Sequence, residues 1–165
     1  MADALETPIG TITVAHFQPG RIRHRVFVGP KVCYALFNQH DRLHPVARAF
    51  MAFVRDGDLP YRQLIVNEHV VDEAATRLKK RAGMPNAQQF LETLEESSLL
   101  RLEPLPDGAF AAAVERFRAW TDHDASVTDF VVASHMAEIG VDHLLTFDRD
   151  FDPFELTTLP YWEFQ

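Results

Sequence analysis

The most constraining feature of this chain is a repeated alternation between short apolar, β-branched segments and longer segments with helical periodicity. Each apolar segment is short enough for one buried strand, and a helical segment separates it from the next. Strands joined through helices are typical of parallel sheets, because a parallel connection must cross back over the sheet. The pattern therefore predicts an α/β fold, a three-layer α/β/α sandwich with a central, mainly parallel sheet. The predicted strands are RVFV (25–28), RQLIV (62–66), LLRLEPL (99–105) and VDHLLTF (141–147).

The helix boundaries carry local signals of their own. Asn67 can cap the helix that follows the second strand, and Gly83 can end it. Ser126 and Asp129 form a capping-box pattern at the start of the last helix, and Gly140 can end that helix. Pro45 suits the first turn of a helix. The predicted helices span residues 31–39, 44–57, 67–83, 86–98, 107–120 and 126–140.

The chain of 165 residues is expected to form one domain, residues 25–165, preceded by an N-terminal extension, residues 1–24. Within the extension, TITVAHF (11–17) alternates as a strand does. The net charge of −8 argues against a broadly basic surface for coating nucleic acid. It leaves room for a nuclease, which needs only a local basic rim around an acidic site.

The remaining compositional signals concern compartment and redox chemistry. Cys33 is the only cysteine, so no disulfide within the chain is expected, and its apolar neighbours favour an inert core thiol. The N-terminus lacks the apolar core of a signal peptide, and no apolar run approaches the length of a membrane span. We expect a cytoplasmic protein without membrane contact.

Three carboxylates stand where a parallel sheet binds its ligands. Asp148 directly follows the last predicted strand, Asp129 lies in the first turn of the helix before it, and Glu73 lies two turns into an earlier helix. Ligands of open parallel sheets bind beyond the carboxyl ends of the strands. Carboxylates brought together there repel one another, and a divalent cation such as Mg²⁺ is the usual remedy.

Each carboxylate also has a purely structural explanation. Asp129 can complete the capping box with Ser126. Glu73 can be a solvated helix residue that pairs with Arg77, four positions later. Asp148 can cap the turn DRDF. Spacing alone does not decide between these explanations and a metal site.

Longer stretches resemble the PIN-domain family, in particular its VapC type, the toxin ribonucleases of toxin–antitoxin pairs. Residues 64–83 resemble the family segment that carries a helical glutamate, here Glu73. Residues 126–151 resemble the C-terminal signature of the family, with Asp129 in TDF and Asp148 in TFDRDF. CYALFNQHDRLHPVARAF (33–50) resembles the first helix and the loop after it.

The resemblance implies a PIN-like fold over residues 25–165 and a function. Glu73, Asp129 and Asp148 are then the expected catalytic residues and the expected ligands of Mg²⁺ or Mn²⁺. The implied activity is metal-dependent endoribonuclease cleavage of RNA, and the implied partners are a small antitoxin protein and a second copy of the chain.

The first strand departs from the family pattern. Gly29 stands where the family carries its first acidic residue, and glycine has no side chain to bind a metal ion. Lys31 adds a positive charge that can contact RNA phosphate or oppose a metal ion, or it can be a solvated first-turn residue. Other acidic residues that could compensate for Gly29 are Asp41, Asp122, Asp124, Asp150 and Asp152.

Two functions therefore remain open. The first is a metal-dependent endoribonuclease, impaired because Gly29 replaces an acidic ligand. The alternative is a catalytically inactive PIN-fold module that binds RNA or an antitoxin-like protein. His123 is a further candidate for acid–base chemistry near the site, against a plain surface role.

Overall fold

The structure is a computed structural model that describes residues 3–18, 20–152 and 154–160. The described chain opens with an antiparallel hairpin of β1 (Ala4–Thr7) and β2 (Gly10–Thr13). A short 3-10 helix, Val14–Phe17, follows β2. The predicted strand 11–17 is therefore too long, because Thr13 ends it by donating its backbone N–H to Nδ1 of His16 at 2.9 Å.

The centre of the molecule is a sheet of five strands in the order β5-β4-β3-β6-β7, and every neighbouring pair is parallel. This confirms the predicted parallel sheet. The three inner strands are mostly apolar, and all of their residues except Arg25 and Gln63 are buried, as expected for strands covered on both faces. The strands are β3 (Arg25–Val28), β4 (Gln63–Val66), β5 (Leu100–Leu102), β6 (His143–Leu145) and β7 (Thr157–Leu159).

Six helices in the described chain flank this sheet and complete the predicted α/β architecture. Asn67 caps the third of them, since its side chain accepts a hydrogen bond from the backbone N–H of Val70 at 3.0 Å. The helices are α1 (Pro30–Leu36), α2 (His44–Asp56), α3 (Glu68–Arg81), α4 (Met84–Glu96), α5 (Ala109–Ala119) and α6 (Val127–Ile139). None of these helices combines the length and the apolar character that a membrane crossing requires.

The N-terminal hairpin shares the core of the sheet domain. Ile12 and Phe17 are fully buried, and the ring of Phe17 lies 5.2 Å from that of Phe50 in α2. Cys33 is also buried, and burial raises the pKa of its thiol to about 12, which leaves it protonated and unreactive at neutral pH. The division of the chain into an extension, 1–24, and a domain, 25–165, stays a prediction.

The strand order defines where a ligand site is expected. The chain runs outward from β3 through β4 to β5, and then returns to the other side of β3 for β6 and β7. Ligands of open α/β sheets bind at this kind of topological switch point, beyond the carboxyl ends of the two strands that flank it. Here the two strands are β3, which Gly29 follows, and β6, which leads to Asp148.

Candidate functional site

A cavity of about 270 Å³ opens at the carboxyl edge of β3 and β6. We call it the acidic pocket, because four of the side chains lining it are carboxylates and only two are cations. It brings together all three carboxylates that the sequence singles out, and Lys31 as well. Its charged lining residues are Lys31, Glu73, Arg77, Asp129, Asp148 and Asp150.

Asp129 reaches the pocket from the first turn of α6. It completes the predicted capping box: Ser126 donates its backbone N–H to Oδ2 of Asp129 at 2.8 Å, and Asp129 donates its backbone N–H to Oγ of Ser126 at 3.2 Å. The structural explanation and the pocket position are thus both correct. Burial raises the pKa of the Asp129 carboxyl, the Ser126 hydrogen bonds oppose this, and the charges of Asp148 and Glu73 add to it.

Asp148 reaches the pocket from the turn after β6. Its Oδ1 accepts a hydrogen bond from the backbone N–H of Asp150 at 3.1 Å, which caps the 3-10 helix Arg149–Phe151. Its own backbone N–H donates to Oγ1 of the buried Thr146 at 3.0 Å. Burial raises the pKa of its carboxyl, but the hydrogen bonds from Lys31 and Asp150 and the charge of Lys31 together outweigh burial, so the pKa lies below its usual value.

Glu73 lines the pocket from α3, and Arg77 lies on the same side of that helix. The ion pairs of the described residues do not include the predicted pair between Glu73 and Arg77. The guanidinium of Arg77 lies 5.7 Å from the ring centroid of Tyr34 in α1. Arg77 is thus positioned by an aromatic ring, within reach of an anion that enters the pocket.

The β3 side of the pocket is built from Gly29, Pro30 and Lys31. Gly29 is extended, with φ −77° and ψ 162°, and its backbone N–H donates to the carbonyl of Leu145 at 2.9 Å. Pro30 begins α1, which places Lys31 in the first turn. The Lys31 ammonium lies 2.7 Å from Oδ2 of Asp148, so Lys31 is an ion-pair partner of the pocket rather than a purely solvated residue.

Of the other acidic residues that could compensate for Gly29, only one lines the pocket. Asp150 lines the pocket, and burial together with the charges of Asp148 and Asp129 raises the pKa of its carboxyl. Asp41, Asp122, Asp124 and Asp152 do not line the pocket.

His123 lies outside the pocket lining as well. Its ring packs against the rings of Phe117, Trp120 and Phe130, at centroid distances of 5.1, 5.6 and 4.8 Å. Packing among aromatic rings therefore explains its position, and the pocket does not use it.

A second groove, of about 430 Å³, continues from the acidic pocket along α3. The two share Glu73, Arg77 and Thr128, and the groove adds Lys80 and Arg81. Sequence reasoning did not single out these two basic residues, because cations near the C-terminal end of a helix are already explained by the helix dipole. Helical spacing on the face that carries Glu73 and Arg77 was the signal that could have found them.

The resemblance to PIN proteins implies a divalent cation, and the donor set of this pocket does not fit one well. Within residues 3–18, 20–152 and 154–160, no three His, Cys, Asp or Glu side chains are placed to hold an ion together. Gly29 supplies no carboxylate, and Lys31 already neutralises Asp148. Asp129 Oδ2 is engaged by the backbone of Ser126. The pocket is therefore acidic without forming a complete metal-binding set.

Comparison with known families shows which protein family this chain belongs to. The family model of the PIN domain matches residues 31–155. The chain belongs to the PIN-domain family. A comparison with curated protein sequences gives no match.

Solved structures share the PIN fold of this chain at low sequence identity. The Mycobacterium tuberculosis toxin VapC20, described as cleaving the sarcin–ricin loop, is 24% identical with a TM-score of 0.68, over 77% of this chain and 92% of that one. VapBC2 from Rickettsia felis, bound to a DNA fragment of its promoter, is 14% identical with a TM-score of 0.55, over 81% and 96%. A toxin–antitoxin complex from Klebsiella pneumoniae is 14% identical with a TM-score of 0.56, over 82% and 98%. At these identities the likeness concerns the fold.

Proposed function

We propose that this PIN-domain protein is an endoribonuclease of the VapC type whose catalysis is impaired, and that RNA is its substrate. The observation that carries the proposal is the convergence of Glu73, Asp129 and Asp148 at the switch point of the sheet. The likeness in fold to VapC20 supports the same activity class.

The charge arrangement suits an RNA strand that passes from the groove into the pocket. Arg77, Lys80 and Arg81 line the groove and can bind backbone phosphates, since cations supply most of the affinity for nucleic acid. Lys31 stands at the far side of the acidic pocket, and the hydroxyl of Thr128 lies where pocket and groove meet. The groove, whose three cations outnumber the carboxylates of Asp72 and Glu73, would thus hold the strand, while the carboxylates of the pocket face the phosphate to be cleaved.

Asp129 is the carboxylate that we assign as the base. Its pKa is raised by burial, against the opposing hydrogen bonds from Ser126, so it holds a proton more readily than an exposed aspartate. Its backbone and side chain are both held by Ser126, which fixes its direction into the pocket. We assign it the role of accepting a proton from the attacking water. In PIN proteins a bound Mg²⁺ or Mn²⁺ would supply electrostatic stabilisation of the phosphate.

The activity is expected to be weak, because the set of acidic residues lacks a carboxylate at Gly29. A loosely positioned reaction centre loses much of its rate, on the order of 100-fold for a misplacement of about 1 Å.

RNA cleavage is the direct test. Structured RNA should be cut slowly, and only at high concentrations of Mg²⁺ or Mn²⁺, because we expect this pocket to bind the ion weakly. EDTA or the variant Asp129→Asn should abolish cleavage. The matched control is Asp124→Asn, which removes an exposed carboxylate outside the pocket. Cleavage that survives Asp129→Asn would contradict the assignment of the pocket as the active site.

A second function is favoured by Gly29 and by the ion pair between Lys31 and Asp148: a PIN module that binds RNA or an antitoxin-like protein without cutting. The toxin–antitoxin complex from Klebsiella pneumoniae supports an antitoxin partner for this fold. The same assay separates the two functions when RNA binding is followed in parallel by fluorescence anisotropy. Binding without cleavage under any metal condition selects the second function. Under either function, we propose that the protein forms a homodimer.

A further inference from the structure

The acidic pocket already contains a cation that belongs to the chain itself. The ammonium of Lys31 lies 2.7 Å from Oδ2 of Asp148, which is contact distance for a charge-assisted hydrogen bond. The two residues come from the loops after neighbouring parallel strands, β3 and β6, so the sheet itself sets their distance. The ammonium thus lies against one of the three carboxylates that the family would use to bind its metal ion.

The position of Lys31 is not explained by its helix. It stands in the first turn of α1, where the positive end of the helix dipole disfavours a cation, and this turn contains no acidic residue. The carboxylate of Asp148 is the contact that offsets this. The ion pair is only partly exposed, with 43% of the Lys31 side chain and 20% of the Asp148 side chain accessible.

The hydrogen bonds of Asp148 reinforce the same conclusion. Its Oδ1 accepts from the backbone N–H of Asp150, and its Oδ2 faces Lys31. A metal ion that approached Asp148 would meet a positive charge already in contact with the carboxylate, and would have to displace it. Two positive charges a few ångströms apart repel strongly wherever water screens them poorly.

We propose that Lys31 takes the place of the divalent cation in this pocket, so that Gly29 and Lys31 together prevent tight metal binding. Gly29 removes one anionic ligand and Lys31 neutralises another. The pocket stays acidic overall, while one of its carboxylates, Asp148, is neutralised from within the chain. This inference concerns metal binding alone and does not rest on the proposed ribonuclease activity.

The pocket has room for a carboxylate side chain at position 29. Gly29 has a φ of −77°, which any residue adopts. A Cβ added there would meet Oγ1 of Thr146 at 3.4 Å and the carbonyl of Leu145 at 3.5 Å, which is ordinary van der Waals contact. A carboxylate can therefore be introduced at position 29 without backbone strain, and a neutral side chain of similar length can replace Lys31.

Titration of Mn²⁺ by calorimetry on the full chain tests the proposal. Wild type should bind Mn²⁺ weakly, Lys31→Met at least about tenfold more tightly, and the double variant Gly29→Asp/Lys31→Met more tightly still. Lys79→Met is the matched control and should bind as wild type does, since Lys79 is exposed on α3 and does not line the pocket. Adding Asp148→Asn to Lys31→Met should remove the gain, which locates the ion in the pocket.

Lys31→Arg separates charge from side-chain identity and should bind Mn²⁺ as weakly as wild type. Circular dichroism and a melting curve on every variant show that the fold is retained, and Lys31→Gln takes the place of Lys31→Met if the latter fails to fold. Equal affinity of wild type and Lys31→Met, or a gain in Lys31→Arg as large as in Lys31→Met, would overturn the proposal.

Discussion

The C-terminal side of the acidic pocket, formed by α6 and the turn after β6, keeps both of its carboxylates in hydrogen-bonded positions. The N-terminal side, formed by the end of β3 and the first turn of α1, contributes a glycine and a lysine instead. Asp129 caps α6 together with Ser126, and Asp148 caps the 3-10 helix that follows β6. At Gly29, by contrast, only backbone groups form hydrogen bonds: its N–H donates to the carbonyl of Leu145, and its carbonyl accepts from the N–H of Cys33.

This difference shows why retained acidic residues are not by themselves a sign of catalysis. Asp129 and Asp148 stabilise local structure, and they would do so in a protein that cuts nothing, because caps contribute to folding independently of any substrate. A side chain at position 29 has no such structural role. A side chain added at that position would make ordinary van der Waals contacts, so substitutions there can test the chemistry of the pocket with little change to the fold.

The largest expected difference between the two sides of the pocket is how much a side chain on each side contributes to stability through packing. Phe130, next to Asp129, is fully buried, with ring centroids 5.6 Å from Phe117 and 5.0 Å from Phe154. Phe130→Ala should lower the free energy of unfolding by about 3–5 kcal/mol, because it leaves a cavity in the core. Lys31→Ala should lower it by no more than about 1 kcal/mol, since its ion pair is partly solvated. Urea denaturation measures both, and similar losses would show that the two sides do not differ in this way.

The next-largest effect is the pH dependence of stability that arises from two buried histidines. His135 in α6 and His143 in β6 are buried, and burial lowers the pKa of both rings. They stay neutral in the folded protein, while the unfolded chain takes up protons near a pKa of about 6.5. Their contribution to stability is therefore present above about pH 6.5 and is lost as the pH falls below that value.

Between about pH 7.5 and 5.5, we expect the free energy of unfolding to decrease by about 1–2 kcal/mol, from denaturant titrations. His143→Gln should flatten this dependence, whereas His40→Gln, which changes an exposed histidine, should leave it unchanged. Stability that stays constant across this interval, or rises on acidification, would contradict the assignment.

The smallest predicted effect comes from adding a carboxylate at position 29 on the N-terminal side of the pocket. Gly29→Asp should raise Mg²⁺-dependent RNA cleavage by about tenfold, a barrier change near 1.4 kcal/mol, because it adds a carboxylate at the edge that Asp129 and Asp148 already share. Gly29→Asn has the same shape without the charge and serves as the control. A melting curve confirms that both variants fold, as the φ of Gly29 allows. If the folded Gly29→Asp protein cuts no faster than Gly29→Asn, the missing aspartate does not limit the site.

Much of the fold could be predicted because its signals are local. The alternation of strands and helices, the Asn67 cap and the capping box of Ser126 and Asp129 depend on neighbours within a few positions, and the structure confirms them. Less was predictable at the ends of the described chain. The hairpin of β1 and β2 and the strand β7 are short, and β7 exists because its Leu159 and its backbone pair with β6. Such a strand is stabilised by pairing with its neighbour rather than by the hydrophobic pattern of its own residues.

For this protein the sequence by itself determined most of the helices and central strands, the family signature and the absence of a side chain at Gly29. Only the tertiary structure decided that Lys31 contacts Asp148, that the basic groove of α3 opens into the acidic pocket, and that His135 and His143 are buried. The physical reason is the separation along the chain of the residues that each interaction joins. Caps and periodicity act between residues close in the chain, whereas an ion pair across β3 and β6 exists only after the parallel sheet has brought two distant loops to the same edge.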